Sequence, residues 1–138
     1  MGSVLSYMLG GGEGAAATGE DDSSSGDHSG VTKFHSAARW QLHFNSIKDS
    51  NQLLVIDFAA SWCGPCRFIE PAVNAMSAKF TDVSFAKIDV DELPEVSQEF
   101  GVQAMPTFVL VKRGKEVDRV VGAKQDELEK KVSKYRSA

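Results

Sequence analysis

Residues 53 to 59 (LLVIDFA) form a near-continuous apolar run of strand length with a single acid, Asp57, inside it. A run this short that does not alternate fits a strand buried on both faces, as in the middle of a sheet covered by helices. It gives way to Ser61-Trp62-Cys63-Gly64-Pro65-Cys66, after which Ile69, Val73, Met76 and Phe80 recur at helical spacing. Both cysteines of the chain therefore sit in a turn between a buried strand and a helix. Pro71, inside the helical pattern, predicts a kink.

The flanking segments continue the alternation. Val31 to His35 is a short strand candidate, and Trp40, Phe44 and Ile47 fall on one face of a helix. Val83 to Asp89 reads as a strand, and Leu93 to Phe100 as a short helix ended by Gly101. Asp91 and Glu92 read as the start of that helix. Thr107 to Lys112 and Glu116 to Val121 read as two strands around the turn Arg113-Gly114-Lys115, a hairpin. Leu128, Val132 and Tyr135 mark a last amphipathic helix. The order βαβαβαββα predicts an α/β domain with a central mixed sheet and helices on both faces.

Composition divides the chain near residue 30. Residues 1 to 30 hold eight of the 12 glycines, five acids and no Lys, Arg or Pro. A segment so poor in buriable surface reads as a flexible acidic Gly/Ser-rich tail. Without it, 15 Lys and Arg face 14 acids over residues 31 to 138, so the net charge of −4 belongs mostly to the tail. There is no polybasic block, which argues against nucleic acid as a partner. No apolar run approaches the ~20 residues that cross a bilayer, and no Lys or Arg precedes residue 33, which argues against a signal or transit peptide. The expected setting is intracellular and reducing, where two cysteines spaced C-x-x-C point to chemistry more than to a staple.

That chemistry follows from position. A helix N-terminus presents unpaired N–H groups and partial positive charge, which stabilise a thiolate. Cys63, at the mouth of the turn, is the candidate nucleophile. Cys66, three residues on and one turn into the helix, is placed to resolve the mixed disulfide that attack creates. Pro65 suits a first helical turn, and Gly64 keeps the approach clear. Two bland alternatives are half a zinc site and an inert pair. A zinc site needs two more ligands, and His28, His35 and His43 offer no matching pair. No metal and no bound cofactor are therefore expected, only a redox-active disulfide.

The segment VIDFAASWCGPCRFIEP resembles the active-site region of thioredoxin, and residues 31 to 138 are similar to that family in length and element order. The resemblance implies the thioredoxin fold and a protein-disulfide reductase that is itself re-reduced by NADPH-dependent thioredoxin reductase. Gly64-Pro65 between the cysteines resembles the reductants of the family, unlike the Pro-Tyr of glutaredoxin or the Gly-His of protein disulfide isomerase. Asp57 matches the family's buried acid, the proton acceptor for Cys66, since burial raises a carboxyl pKa. Lys87 matches the lysine that moderates that acid. Met105-Pro106-Thr107 matches the family's cis-proline loop facing the cysteines. The backbone of Met105 is then implied to pair with an extended target segment, with Trp62, Gly64, Pro65, Val121, Gly122 and Ala123 forming the contact surface around it. Pro71 matches the proline that bends the active-site helix. Ala59 stands where bacterial members usually have tryptophan, and a small residue there resembles the plant h-type.

The first six residues, Met1-Gly2-Ser3-Val4-Leu5-Ser6, fit the acylation pattern M-G-x-x-x-[ST], with Gly2 the myristoylation site. A single myristoyl chain binds membranes only marginally, and the tail carries no second signal. The expectation is a cytoplasmic protein with a reversible endomembrane pool, or a mitochondrial one. Two further classes of function stand beside the reductase. One is a non-catalytic binding module, for which neither the thiols nor the buried acid is needed. The other is a glutathione-dependent oxidoreductase with glutaredoxin as partner. The h-type relatives that draw on that system carry an extra cysteine where this chain has Val4.

Overall fold

The computed structural model describes residues 30–136. The tail over residues 1 to 30, Gly2 included, lies outside the described residues except for Gly30, whose backbone N–H donates to Ser77 Oγ at 2.9 Å. The element order is β1 (Val31–Phe34), α1 (Ala37–Ile47), β2 (Leu54–Ala59), α2 (Gly64–Lys79), β3 (Ser84–Asp89), α3 (Pro94–Glu99), β4 (Thr107–Lys112), β5 (Lys115–Val121) and α4 (Gln125–Tyr135). The predicted order holds throughout.

The strands form one mixed sheet in the order β1-β3-β2-β4-β5. β1 and β2 run parallel to β3, whereas β4 runs antiparallel to β2 and β5 antiparallel to β4. β2 is thus the middle strand, and all six of its residues are buried. Its alternation divides the core in two. Leu53 and Val55 join Ile69, Val73 and Met76 of α2 and Leu128 and Val132 of α4 on one face. Leu54, Ile56 and Phe58 join Trp40 and Ile47 of α1 and Val96 of α3 on the other. A near-continuous apolar run is needed because both faces of this strand are covered, and truncating a buried Phe58 to Ala would cost roughly 3–5 kcal/mol.

Two details differ from the sequence reading. The β4–β5 turn has two residues, not three: Arg113 and Gly114 both have positive φ (54° and 77°), and Lys115 already pairs with Lys112. Positive φ at both central residues matches the twist of a tight hairpin, which Lys115, carrying no apolar signal, did not reveal. Asp91 and Glu92 do not begin α3 either. The helix starts at Pro94, while Asp91 and Glu92 take side-chain partners elsewhere. Pro71 lies inside α2, which continues through it to Lys79.

Candidate active site

β2 ends beneath the N-terminus of α2, and the site is built at that junction. Cys63 is the N-cap of α2, in extended conformation, and Cys66 lies in the first turn beyond Pro65. The two are joined as a disulfide with their Cα atoms 5.3 Å apart. The Cys66 backbone N–H donates to Cys63 Sγ at 3.1 Å. This is the capping hydrogen bond of a helix whose N-cap side chain is sulfur. Both cysteines are buried and cluster with Ala59 and Ala60, with Met105 packed against them.

The surface around them is apolar and exposed. Trp62 is 64% exposed, yet its ring is held: Nε1–H donates to Asp91 Oδ2 at 2.9 Å. Gly64 and Pro65 are exposed, and a Cβ at Gly64 would meet nothing within 4 Å, so that side is open. The Met105–Pro106 peptide bond is cis, and the Met105 carbonyl oxygen lies 3.6 Å from Cys63 Sγ. Gly122 N–H donates to the Pro106 carbonyl at 2.8 Å, and Val121 pairs with Thr107 across β4–β5. These contacts bring Val121, Gly122 and Ala123 beside the proline loop, with Val121 exposed and Ala123 turned partly into the core.

Beneath the cysteines lies Asp57. Strand parity puts it on the α2 face of the sheet, as it does Val55. It is 7% exposed, and its Oδ1 is a buried side-chain atom with no hydrogen-bond partner among the described residues. Burial pushes the Asp57 pKa up to about 7, moderated by the nearby Lys87 ammonium and reinforced by the Glu70 carboxylate. Lys87 is the β3 register partner of Asp57. Its ammonium, however, makes its ion pair with Glu70 Oε2 of α2, at 2.8 Å. A cleft of about 300 Å³ opens beside this group, with Ala59, Cys66, Arg67, Glu70 and Lys87 among its lining residues. The small side chain of Ala59 is part of what leaves that space.

Sequence reasoning missed two residues here. Asp91 reads in the sequence as a helix start but anchors Trp62, and no motif singles out Glu70. The spacing Cys66 to Glu70, one helical turn, was the available signal for the second. Among the described residues no group of three or more His, Cys, Asp or Glu could hold a metal ion.

A sulfur pair that can open and close at a helix N-terminus, above a carboxyl poised near neutrality, defines a thiol–disulfide oxidoreductase. The thioredoxin family profile matches residues 33–134. The chain is 65% identical over 137 residues to thioredoxin H2 of Arabidopsis thaliana, covering 99% of this chain and 100% of that one. It is 57% identical over 114 residues to thioredoxin H2-2 of Oryza sativa subsp. japonica, covering 82% and 85% of the two chains. Among solved structures, the thioredoxin NaTrxh of Nicotiana alata superposes with a TM-score of 0.79 at 66% identity, covering 86% of this chain and 100% of that one. The chain belongs to the thioredoxin family, with plant h-type members as its relatives. It reduces disulfides of target proteins through the Cys63/Cys66 pair and is re-reduced by NADPH-dependent thioredoxin reductase.

Proposed function

We propose that the work of reduction is divided among residues as follows. Cys63, as thiolate, attacks one sulfur of a target disulfide, and the other target sulfur leaves and takes a proton. Cys66 then gives its proton to Asp57, attacks Cys63 Sγ and expels the second target sulfur, to which Asp57 passes that proton on. The Cys63–Cys66 bond forms, the target gains two electrons and two protons, and the protein is oxidised by the same two electrons. The observation that carries this division is the Cys66 N–H donated to Cys63 Sγ at 3.1 Å, which favours negative charge on Cys63 rather than on Cys66. Lys87 tunes Asp57, and Trp62, Gly64, Pro65, Met105, Pro106, Val121, Gly122 and Ala123 form the surface that receives an extended target segment. Immobilised Cys66→Ser protein incubated with oxidised targets tests it. Targets should be retained as mixed disulfides and released by dithiothreitol, whereas Cys63→Ser should retain none; equal retention by the two variants would reverse the roles.

The finer assignments rest on sequence. Gly2 is read as a myristoylation site that gives reversible endomembrane contact to a largely cytoplasmic protein, alongside a mitochondrial pool. Mass spectrometry of protein from a eukaryotic host, with Gly2→Ala as control, tests the modification, and cell fractionation tests the location. Glutaredoxin with glutathione is read as a secondary electron donor, tested by replacing thioredoxin reductase with that couple in the turnover assay.

A further inference from the structure

Glu70 pairs with Lys87 at this site, yet neither the sequence reading nor the reaction above employs it. Its placement follows from two periodicities. Asp57 and Lys87 are register partners and share the face of the sheet under α2. Cys66 and Glu70, four residues apart, lie along the same stripe of α2 above them. The charged groups around the adjoining cleft are Lys87 and Asp89 from β3 and Arg67 and Glu70 from α2. β4 contributes the apolar Phe108 as the other register partner of Asp57.

Lys87 has two carboxylates within its neighbourhood and one is engaged: Glu70 Oε2, at 2.8 Å. Asp57 Oδ1, in a buried position, has no hydrogen-bond partner among the described residues. A half-exposed glutamate pays little to hold a lysine, and it competes directly with the buried acid for that cation. We propose that Glu70 is a positioning residue for the resolution step: by engaging the Lys87 ammonium it limits the positive charge felt by Asp57, and so sets the pH range in which Asp57 accepts the Cys66 proton. The proposal rests on the reading of Asp57 as proton acceptor. Removing the Glu70 charge has two effects of the same sign, because it deletes a nearby negative charge and frees Lys87 to turn toward Asp57. Both favour the ionised carboxyl.

The test is titration of Asp57 by carboxyl ¹³C NMR in the oxidised protein, where neither cysteine titrates and the curve is not coupled to a thiol. Glu70→Gln should move the midpoint down by about half a pH unit, the scale of one charge acting across a partly solvated site. Such a move raises the ionised fraction of Asp57 at pH 6 roughly two- to threefold and shifts the pH profile of target release from the mixed disulfide in the same direction. In a Lys87→Met background the same substitution should move the midpoint less, since the direct effect of the Glu70 charge remains and the part that runs through Lys87 is lost. Glu70→Asp, which keeps the charge, should restore most of the wild-type midpoint. An unchanged or raised midpoint in Glu70→Gln, or an undiminished shift in the Lys87→Met background, would overturn the proposal. An unaffected release rate in Asp57→Asn would instead overturn the role of Asp57 and with it the functional half of this inference, while the titration still reads the Glu70 coupling.

Discussion

The Cys66 backbone N–H points at Cys63 Sγ from 3.1 Å, within the first turn of α2. The two cysteines are therefore chemically unequal before any target arrives. Cys63 holds the helix N-cap and its hydrogen-bond donors, whereas Cys66 lies in the first turn, bordering the cleft that Glu70 and Lys87 also line. One sulfur is set up to carry charge and the other to lose a proton on demand.

Asp57 should cost stability in a pH-dependent way. Its carboxyl pKa rises from 3.8 to about 7 on folding. A raised pKa means that stability is fully present below about pH 4 and is lost as pH rises through about 7. Ionising the buried acid costs about 4 kcal/mol at 1.36 kcal/mol per pH unit. Asp57→Asn should match the wild type at pH 3.5 and exceed it by several kcal/mol at pH 8 in urea denaturation of the oxidised protein. A gap independent of pH would contradict the burial of an ionisable acid.

The same substitution should separate the two chemical steps. Asp57→Asn should slow release of target from the mixed disulfide by on the order of 100-fold while leaving the initial attack by Cys63 nearly unchanged. Stopped-flow mixing of reduced protein with a disulfide target distinguishes them. Equal losses in both steps would argue that Asp57 acts on the site as a whole.

Asp91 should matter to target affinity without touching the reacting sulfurs. It accepts the Trp62 Nε1–H at 2.9 Å and so fixes a ring that is 64% exposed. A hydrogen bond of this kind contributes about 1 kcal/mol, so Asp91→Ala should raise KM for a protein target about fivefold at unchanged kcat. A fall in kcat with constant KM would place Asp91 in the chemistry instead.

Gly122 occupies φ +103°, a region that L side chains rarely adopt, and donates to the Pro106 carbonyl. A Cβ there would meet only the flexible Lys124 side chain, at 3.7 Å, an ordinary contact, so strain rather than collision opposes a side chain. Gly122→Ala should lose roughly 1–2 kcal/mol in denaturant unfolding and weaken target reduction through the adjoining loop. An alanine variant of wild-type stability would show that the loop accommodates the change.

The fold was legible where burial forces a pattern. β2 could be read from LLVIDFA because both of its faces are covered, and the helices because each turns one stripe inward. Cys63, Cys66 and Asp57 were legible for the same reason, since a turn between a buried strand and a helix fixes where they point. Glu70 and Asp91 were not, because their partners, Lys87 and Trp62, lie 17 and 29 residues away and meet them only through the packing of α2 on the sheet and the course of the loop after β3. Lys115 escaped for a different reason: a charged residue at the start of an exposed strand carries no periodic signal.

The most direct test of the account is insulin disulfide reduction driven by NADPH and thioredoxin reductase, comparing the wild type with Cys63→Ser. The wild type should oxidise NADPH in proportion to the insulin reduced, and Cys63→Ser should give only the background rate. Sustained turnover by Cys63→Ser, or none by the wild type, would contradict the assignment of this chain's chemistry to the Cys63/Cys66 pair.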